Sequence, residues 1–185
     1  MADGTTLSTD LGQLLRWCTL ANHASFAMWK VRDTCILTSH ALAAFLRARG
    51  LDAEVFRAEA HVHSPDRSIC GAAVGWDGDG TRRKAAAPDM WHGHLAVTCE
   101  GFVLDPTIDQ MKVGGKRIRP AVFPVPERWD EDGGYSHRWE ESGLTVSYRK
   151  YRRQAGWKSA GDARPSHWQP VTDLMEEFIA SVSAA

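Results

Sequence analysis

The sequence predicts an α+β fold, with helices packed on an antiparallel β-sheet. Three observations lead there. Apolar residues recur at helical spacing after Asp10 and again after Thr34, strand-like alternation occupies much of the stretch from 53 to 105, and a last helical stripe runs from Thr172 to Ser181.

Taken in order, residues 1–9 read as a disordered lead-in, and 10–185 as a single domain. From Asp10, the residues Leu11, Leu14, Leu15 and Cys18 fall at i, i+3, i+4 and i+7, the stripe of an amphipathic helix, with Asp10 and Gln13 as its cap pair. Ala21 to Val31 reads as less regular. The second helix starts at the capping residues Asp33 and Thr34 and carries Ile36, Leu37, Ala41, Leu42, Ala44, Phe45 and Leu46. Gly50 stops it where a left-handed cap is expected.

Strands are expected over Ala53 to Val62 and Ile69 to Trp76, the second closed by Asp77-Gly-Asp-Gly; residues 81–90 read as a loop. His92 to Asp105 reads as a hairpin with Glu100-Gly101 as its two-residue turn, ended by Pro106. Thr107 to Gly134 is rich in Pro and Gly and is expected to form an extended, partly ordered surface excursion. Leu144 to Arg153 is a further strand.

Length and charge narrow the functional classes. A chain of 185 residues suffices for one domain with a substantial core. Lys+Arg 22 against Asp+Glu 23 gives net charge −1, which argues against nucleic-acid binding through global charge. No run of about 18 apolar residues predicts a membrane helix. The N-terminal segment lacks the basic and apolar regions of a secretory signal. With Cys 4 and no CxxC pair, neither a disulfide scaffold nor a zinc knuckle is expected, so the thiols are read as reduced and the protein as cytoplasmic. Trp 8 is many for this size, and Trp29, Trp76 and Trp91 are candidate pocket walls.

Cys35 lies at the start of the second helix, where unpaired N–H groups and the helix dipole favour a thiolate and where its own N–H faces an oxyanion formed beside the sulfur. The alternative is a small buried hydrophobe. In the hairpin, the two-residue turn sets Cys99 opposite Phe102, Thr98 opposite Val103 and Val97 opposite Leu104. His94, Ala96, Thr98, Val103 and Asp105 then share a face. His94 becomes the diagonal neighbour of Asp105 at roughly 7 Å between backbones, close enough for the carboxylate to fix one ring nitrogen and leave the other as a base. His92 shares that face one pair further off. The alternative is an ordinary sheet histidine bonded to Asp105.

The order Cys, His, Asp resembles that of the transglutaminase-like and papain-like cysteine enzymes. The resemblance is carried by Asp-Thr-Cys35-Ile-Leu-Thr-Ser-His-Ala-Leu-Ala-Ala-Phe-Leu-Arg-Ala-Arg-Gly50-Leu-Asp-Ala-Glu-Val and by His94-Leu-Ala-Val-Thr-Cys-Glu-Gly-Phe-Val-Leu-Asp105-Pro-Thr, and covers roughly residues 30–110. It implies a cysteine-bearing helix packed on an antiparallel sheet, with Cys35 as nucleophile, His94 as base and Asp105 as orienting acid. Ile36 stands where the family often has an aromatic residue. The family's oxyanion side-chain donor has no fixed counterpart here; Asn22 and Trp29 are the candidates.

The expected activity is therefore thioester chemistry on amide bonds of a peptide, protein or small amide, with hydrolysis preferred to acyl transfer and no cofactor or metal. Three other features bear on function. His61-x-His63 and His92-x-His94 each place two imidazoles on one strand face, a spacing that suits a metal. The run Tyr148-Arg-Lys-Tyr-Arg-Arg-Gln-Ala-Gly-Trp-Lys158 reads as a basic strand edge, with a single-stranded nucleic-acid surface as the alternative. Gly114-Gly115-Lys116 is too short for a P-loop. A catalytically idle binding protein of the same fold is the non-enzymatic alternative, with 107–160 as its interaction surface.

Overall fold

The computed structural model describes residues 10–30, 34–63, 70–74, 93–110, 118–125, 135–138, 143–150 and 163–183. The lead-in, the 81–90 loop, Trp76, Trp91, His92, Gly114 to Lys116 and the run from Tyr151 to Lys158 lie outside them. Helix α1 spans Leu11–Trp29, and Asp10 caps it by accepting a hydrogen bond from the Gly12 N–H at 3.0 Å. The irregular stretch expected after Ala21 is instead helix. Leu14, Cys18, Ala21, Ala24 and Ser25 continue one buried stripe, and alanine, a weak hydrophobic signal, is a strong helix former. Lys30 ends the helix in the left-handed region, its N–H bonded to the Phe26 carbonyl at 2.9 Å.

Helix α2, Cys35–Arg47, is the central one, with buried residues on most of its circumference. Gly50, at φ +77°, ends the chain's helical course as expected. Its N–H bonds the Arg47 carbonyl at 2.9 Å, and the Leu51 N–H bonds that of Leu46 at 3.2 Å, the paired bonds of a Schellman cap. Helix α3 spans Pro165–Ser183, beginning seven residues before the expected Thr172. Pro165 is its first residue, where no N–H is needed, and a proline as early as Pro170 forgoes one bond to the first turn. Val171 and Met175 are buried, the Thr172 hydroxyl donates to the Ala41 carbonyl at 3.3 Å, and Arg49 pairs with Glu176 at 2.6 and 2.7 Å.

The strands are β1 Ala53–His63, β2 Cys70–Val74, β3 His94–Cys99, β4 Phe102–Asp105, β5 Ala121–Pro124, β6 Tyr135–Arg138 and β7 Thr145–Lys150. They form one sheet in the order β5-β4-β3-β1-β7-β6, with β2 also on β1, and every described pairing is antiparallel. The β3–β4 register is Val97↔Leu104, Thr98↔Val103 and Cys99↔Phe102, as the turn requires. Glu100 and Gly101 both have positive φ, 49° and 78°, the signature of a type I′ turn.

Two further expectations are corrected. Ala121–Pro124 is no surface excursion but a sheet strand on β4, with Ala121 and Phe123 buried; Pro124, which cannot donate to a ladder, is its last residue. The strand carrying Tyr148 is not an edge, because β7 lies between β1 and β6.

Alternation gives the sheet two apolar faces. Val97, Cys99, Leu104 and Ala53 meet the helices in one core, while Phe56, Ala58, Ala60, Val62, Ala96, Val103, Phe123, Val146 and Tyr148 form the other. Phe123 on β5 and Tyr148 on β7 have ring centroids 5.2 Å apart although three strands separate them. In a flat sheet, four strand spacings would set their backbones roughly 19 Å apart. The sheet is therefore strongly rolled, and the second core fills its concave side. Among the described residues no helix is long and apolar enough to cross a membrane.

Candidate active site

Local structure positions each partner. Cys35 is the first residue of α2 and is partly exposed. Ser39, one turn later, donates to the Leu95 carbonyl at 3.0 Å, and Ile36 packs on Leu95, so the first turns of α2 lie against the start of β3. His94 opens β3 and Asp105 closes β4; both are buried in the rolled sheet. Their strands are held in register by the short turn at Glu100 and Gly101, which is tied to the start of β1 by the Asp52 N–H donating to Glu100 Oε1 at 2.9 Å.

His94 Nε2 lies 2.7 Å from Asp105 Oδ2. The Cys35 side chain lies close enough to the ring to influence its charge. With Nε2 on the carboxylate, Nδ1 is the nitrogen left for the sulfur. Burial alone disfavours the charged ring. The Asp105 charge and hydrogen bond, followed by the neighbouring Cys35, outweigh it and raise the imidazole to about 10. The ring is thus built to carry a proton between a carboxylate and a thiol.

Asp105 has two further donors. The Thr107 N–H reaches Oδ1 at 3.1 Å, and the Tyr148 hydroxyl reaches Oδ2 at 2.7 Å. Burial, and then the nearby Asp105 charge, hold the Tyr148 phenol well above its usual range, so it stays a donor. Beyond Asp105 the chain forms a strut. The Asn22 amide on α1 donates to the Pro106 carbonyl at 2.6 Å and to Asp109 Oδ1 at 2.8 Å. The short 3-10 turn Ile108–Gln110 then brings Gln110 to Thr34, where Oε1 accepts from the backbone N–H and Nε2 donates to the hydroxyl, each at 3.3 Å. One short segment therefore joins the carboxylate strand to the residue before the cysteine.

The expected group Cys35, His94 and Asp105 is brought together. Of the expected oxyanion donors, Asn22 is corrected: its amide nitrogen is spent on the strut. Trp29 ends α1, half-exposed, with its ring 6.2 Å from that of His167. Tyr148, in the run that reads as a basic edge, is fully buried and bonded to Asp105. The alternation Leu144, Val146, Tyr148 already placed it on the apolar face of its strand, but nothing local pointed to Asp105. Gln110 had no signal beyond lying close after Asp105.

Cys18 and Cys99 are differently placed. Cys18 is buried, its Sγ 3.9 Å from the Ala121 carbonyl, and burial holds it well above the usual thiol range; Cys99 is buried and pushed up to about 11 by burial and by Glu100. Among the described residues no three His, Cys, Asp or Glu side chains gather as a metal would need. No family model, curated protein or solved structure matches the chain.

Proposed function

We propose that the chain is a papain-like or transglutaminase-like thiol enzyme that opens amide bonds through a thioester on Cys35. The observation that supports this best is the buried His94 ring, hydrogen-bonded to Asp105 at 2.7 Å and close enough to Cys35 to feel its side chain. The α+β arrangement agrees with it: the cysteine begins a helix packed on an antiparallel sheet, and the histidine and aspartate come from neighbouring strands.

In the proposed cycle the Cys35 sulfur attacks the carbonyl carbon while its proton resides on His94. The Cys35 N–H, one of the first in α2 and so without a partner inside the helix, faces the oxyanion. His94 then gives the proton to the departing amine, leaving a thioester. Water, deprotonated by His94, attacks that thioester and regenerates the thiol; an amine in place of water completes acyl transfer. Asp105 keeps the ring oriented and steadies its positive charge throughout. Hydrolysis is the preferred outcome, since it needs no second substrate site.

The test uses p-nitrophenyl acetate and iodoacetamide. An acetyl group is expected on Cys35 by mass spectrometry, absent in Cys35→Ala, and released by neutral hydroxylamine as a thioester is and an amide is not. Alkylation of Cys35 at neutral pH should fall by roughly tenfold or more in His94→Ala. Equal alkylation in the two proteins, or acetylation elsewhere, removes the proposal.

A further inference from the structure

We infer that Tyr148 is a positioning residue, whose hydroxyl fixes the Asp105 carboxylate and draws charge from the oxygen that His94 uses. For its consequence in turnover this rests on the thiol-enzyme reading, but its effect on the ring is measurable without it.

The geometry is specific. Asp105 Oδ2 receives both His94 Nε2 and the Tyr148 hydroxyl at 2.7 Å, while Oδ1 receives the Thr107 N–H at 3.1 Å. All four groups lie in residues that are at most 2% exposed. Tyr148 comes from β7 and Asp105 from β4, with β3 and β1 between, so only the roll of the sheet lets them meet. The register also keeps the crossing open. β1 pairs Ala58 with His94 and Ala60 with Tyr148, and directly paired residues share a face. Both alanines are fully buried, and they put the smallest side chains between the two rings.

The chemistry follows from sharing one oxygen. A hydrogen bond donated to a buried carboxylate stabilises its charge and lowers its basicity toward other donors. Without the phenol, Oδ2 would hold the His94 proton more tightly. A ring that holds its proton too tightly is a poor acid toward a departing amine. Tyr148 thereby tempers Asp105 while stopping the carboxylate from turning. Among the described residues, the titratable groups acting on this pair are Cys35 from α2, Cys18 from α1 and Tyr148 itself.

The experiment is an NMR titration of the His94 imidazole in three forms of the full chain: wild type, Tyr148→Phe, and protein with 3-fluorotyrosine at position 148. Phenylalanine removes the donor and is expected to shift the His94 midpoint upward by roughly half a unit or more. Fluorination makes the phenol a stronger donor and is expected to shift it downward. Should the phenylalanine variant fail to fold, the fluorinated protein decides alone. An unchanged midpoint, or shifts opposite to these, overturns the inference even if stability falls. Shifts as stated, with no acetyl group forming on wild-type Cys35, uphold the positioning role and remove the enzyme reading instead.

Discussion

His94 shows how one residue ties stability to chemistry. Its folded value of about 10 lies above the ordinary 6.5, so the protonated ring favours the folded state. That contribution is complete below about pH 6.5 and is lost as pH rises toward about 10, at no more than about 1.4 kcal/mol per pH unit. His40 has the opposite sign. Burial, aided by Arg47, lowers it to about 4, so its contribution is present above pH 6.5 and is lost as pH falls through about 4. Because the raised Cys18, Cys99 and Tyr148 also lower stability toward the alkaline end of this range, it is the comparison with His94→Gln in urea unfolding between pH 6.5 and 10 that isolates His94. The wild-type protein is expected to lose stability relative to His94→Gln across that window, and a constant gap between the two would refute the coupling.

At the scale of elements, the hairpin and the helix start are local devices that deliver the two halves of the site. The hairpin depends on its turn, since a longer loop or a slipped register would rotate His94 away from Asp105. Gly101 carries this burden at φ +78°, and a Cβ there would meet nothing within 4 Å. The cost of Gly101→Ala is then purely a backbone cost, about 1–2 kcal/mol, and Gly101→Asn should restore much of it, because asparagine tolerates the left-handed region. Chemical denaturation of the two variants checks this, and equal losses would mean that side-chain bulk, not φ, sets the cost. Glu100, also left-handed, has its strain offset by the bond from the Asp52 N–H.

At the scale of the whole molecule, the roll of the sheet sets which side chains can meet. It carries Tyr148 over the β1 alanines to Asp105 and lays its ring on Phe123. Ala60→Leu would fill that crossing. It is expected to cost about 1–3 kcal/mol and to move the His94 titration in the same direction as Tyr148→Phe. If the variant is destabilised while His94 titrates unchanged, the space beside Ala60 serves packing alone. The strut from Pro106 to Gln110 works at the same scale, linking α1, the carboxylate strand and the residue before Cys35.

Cys35 at a helix start, the turn at Glu100 and Gly101, and the diagonal pairing of His94 with Asp105 were all legible in the order of residues. Each follows from rules that act over a few residues: capping, turn conformation and strand alternation. It took the packed fold to spend the Asn22 amide on Pro106 and Asp109, to draw Ala121–Pro124 into the sheet, and to bring Tyr148 to Asp105. Those contacts join residues 43 to 87 positions apart in the cases of Tyr148 and Asn22. At such separations strand order and sheet curvature choose the partner, and both are set by how the two apolar faces are buried together, which no local pattern encodes.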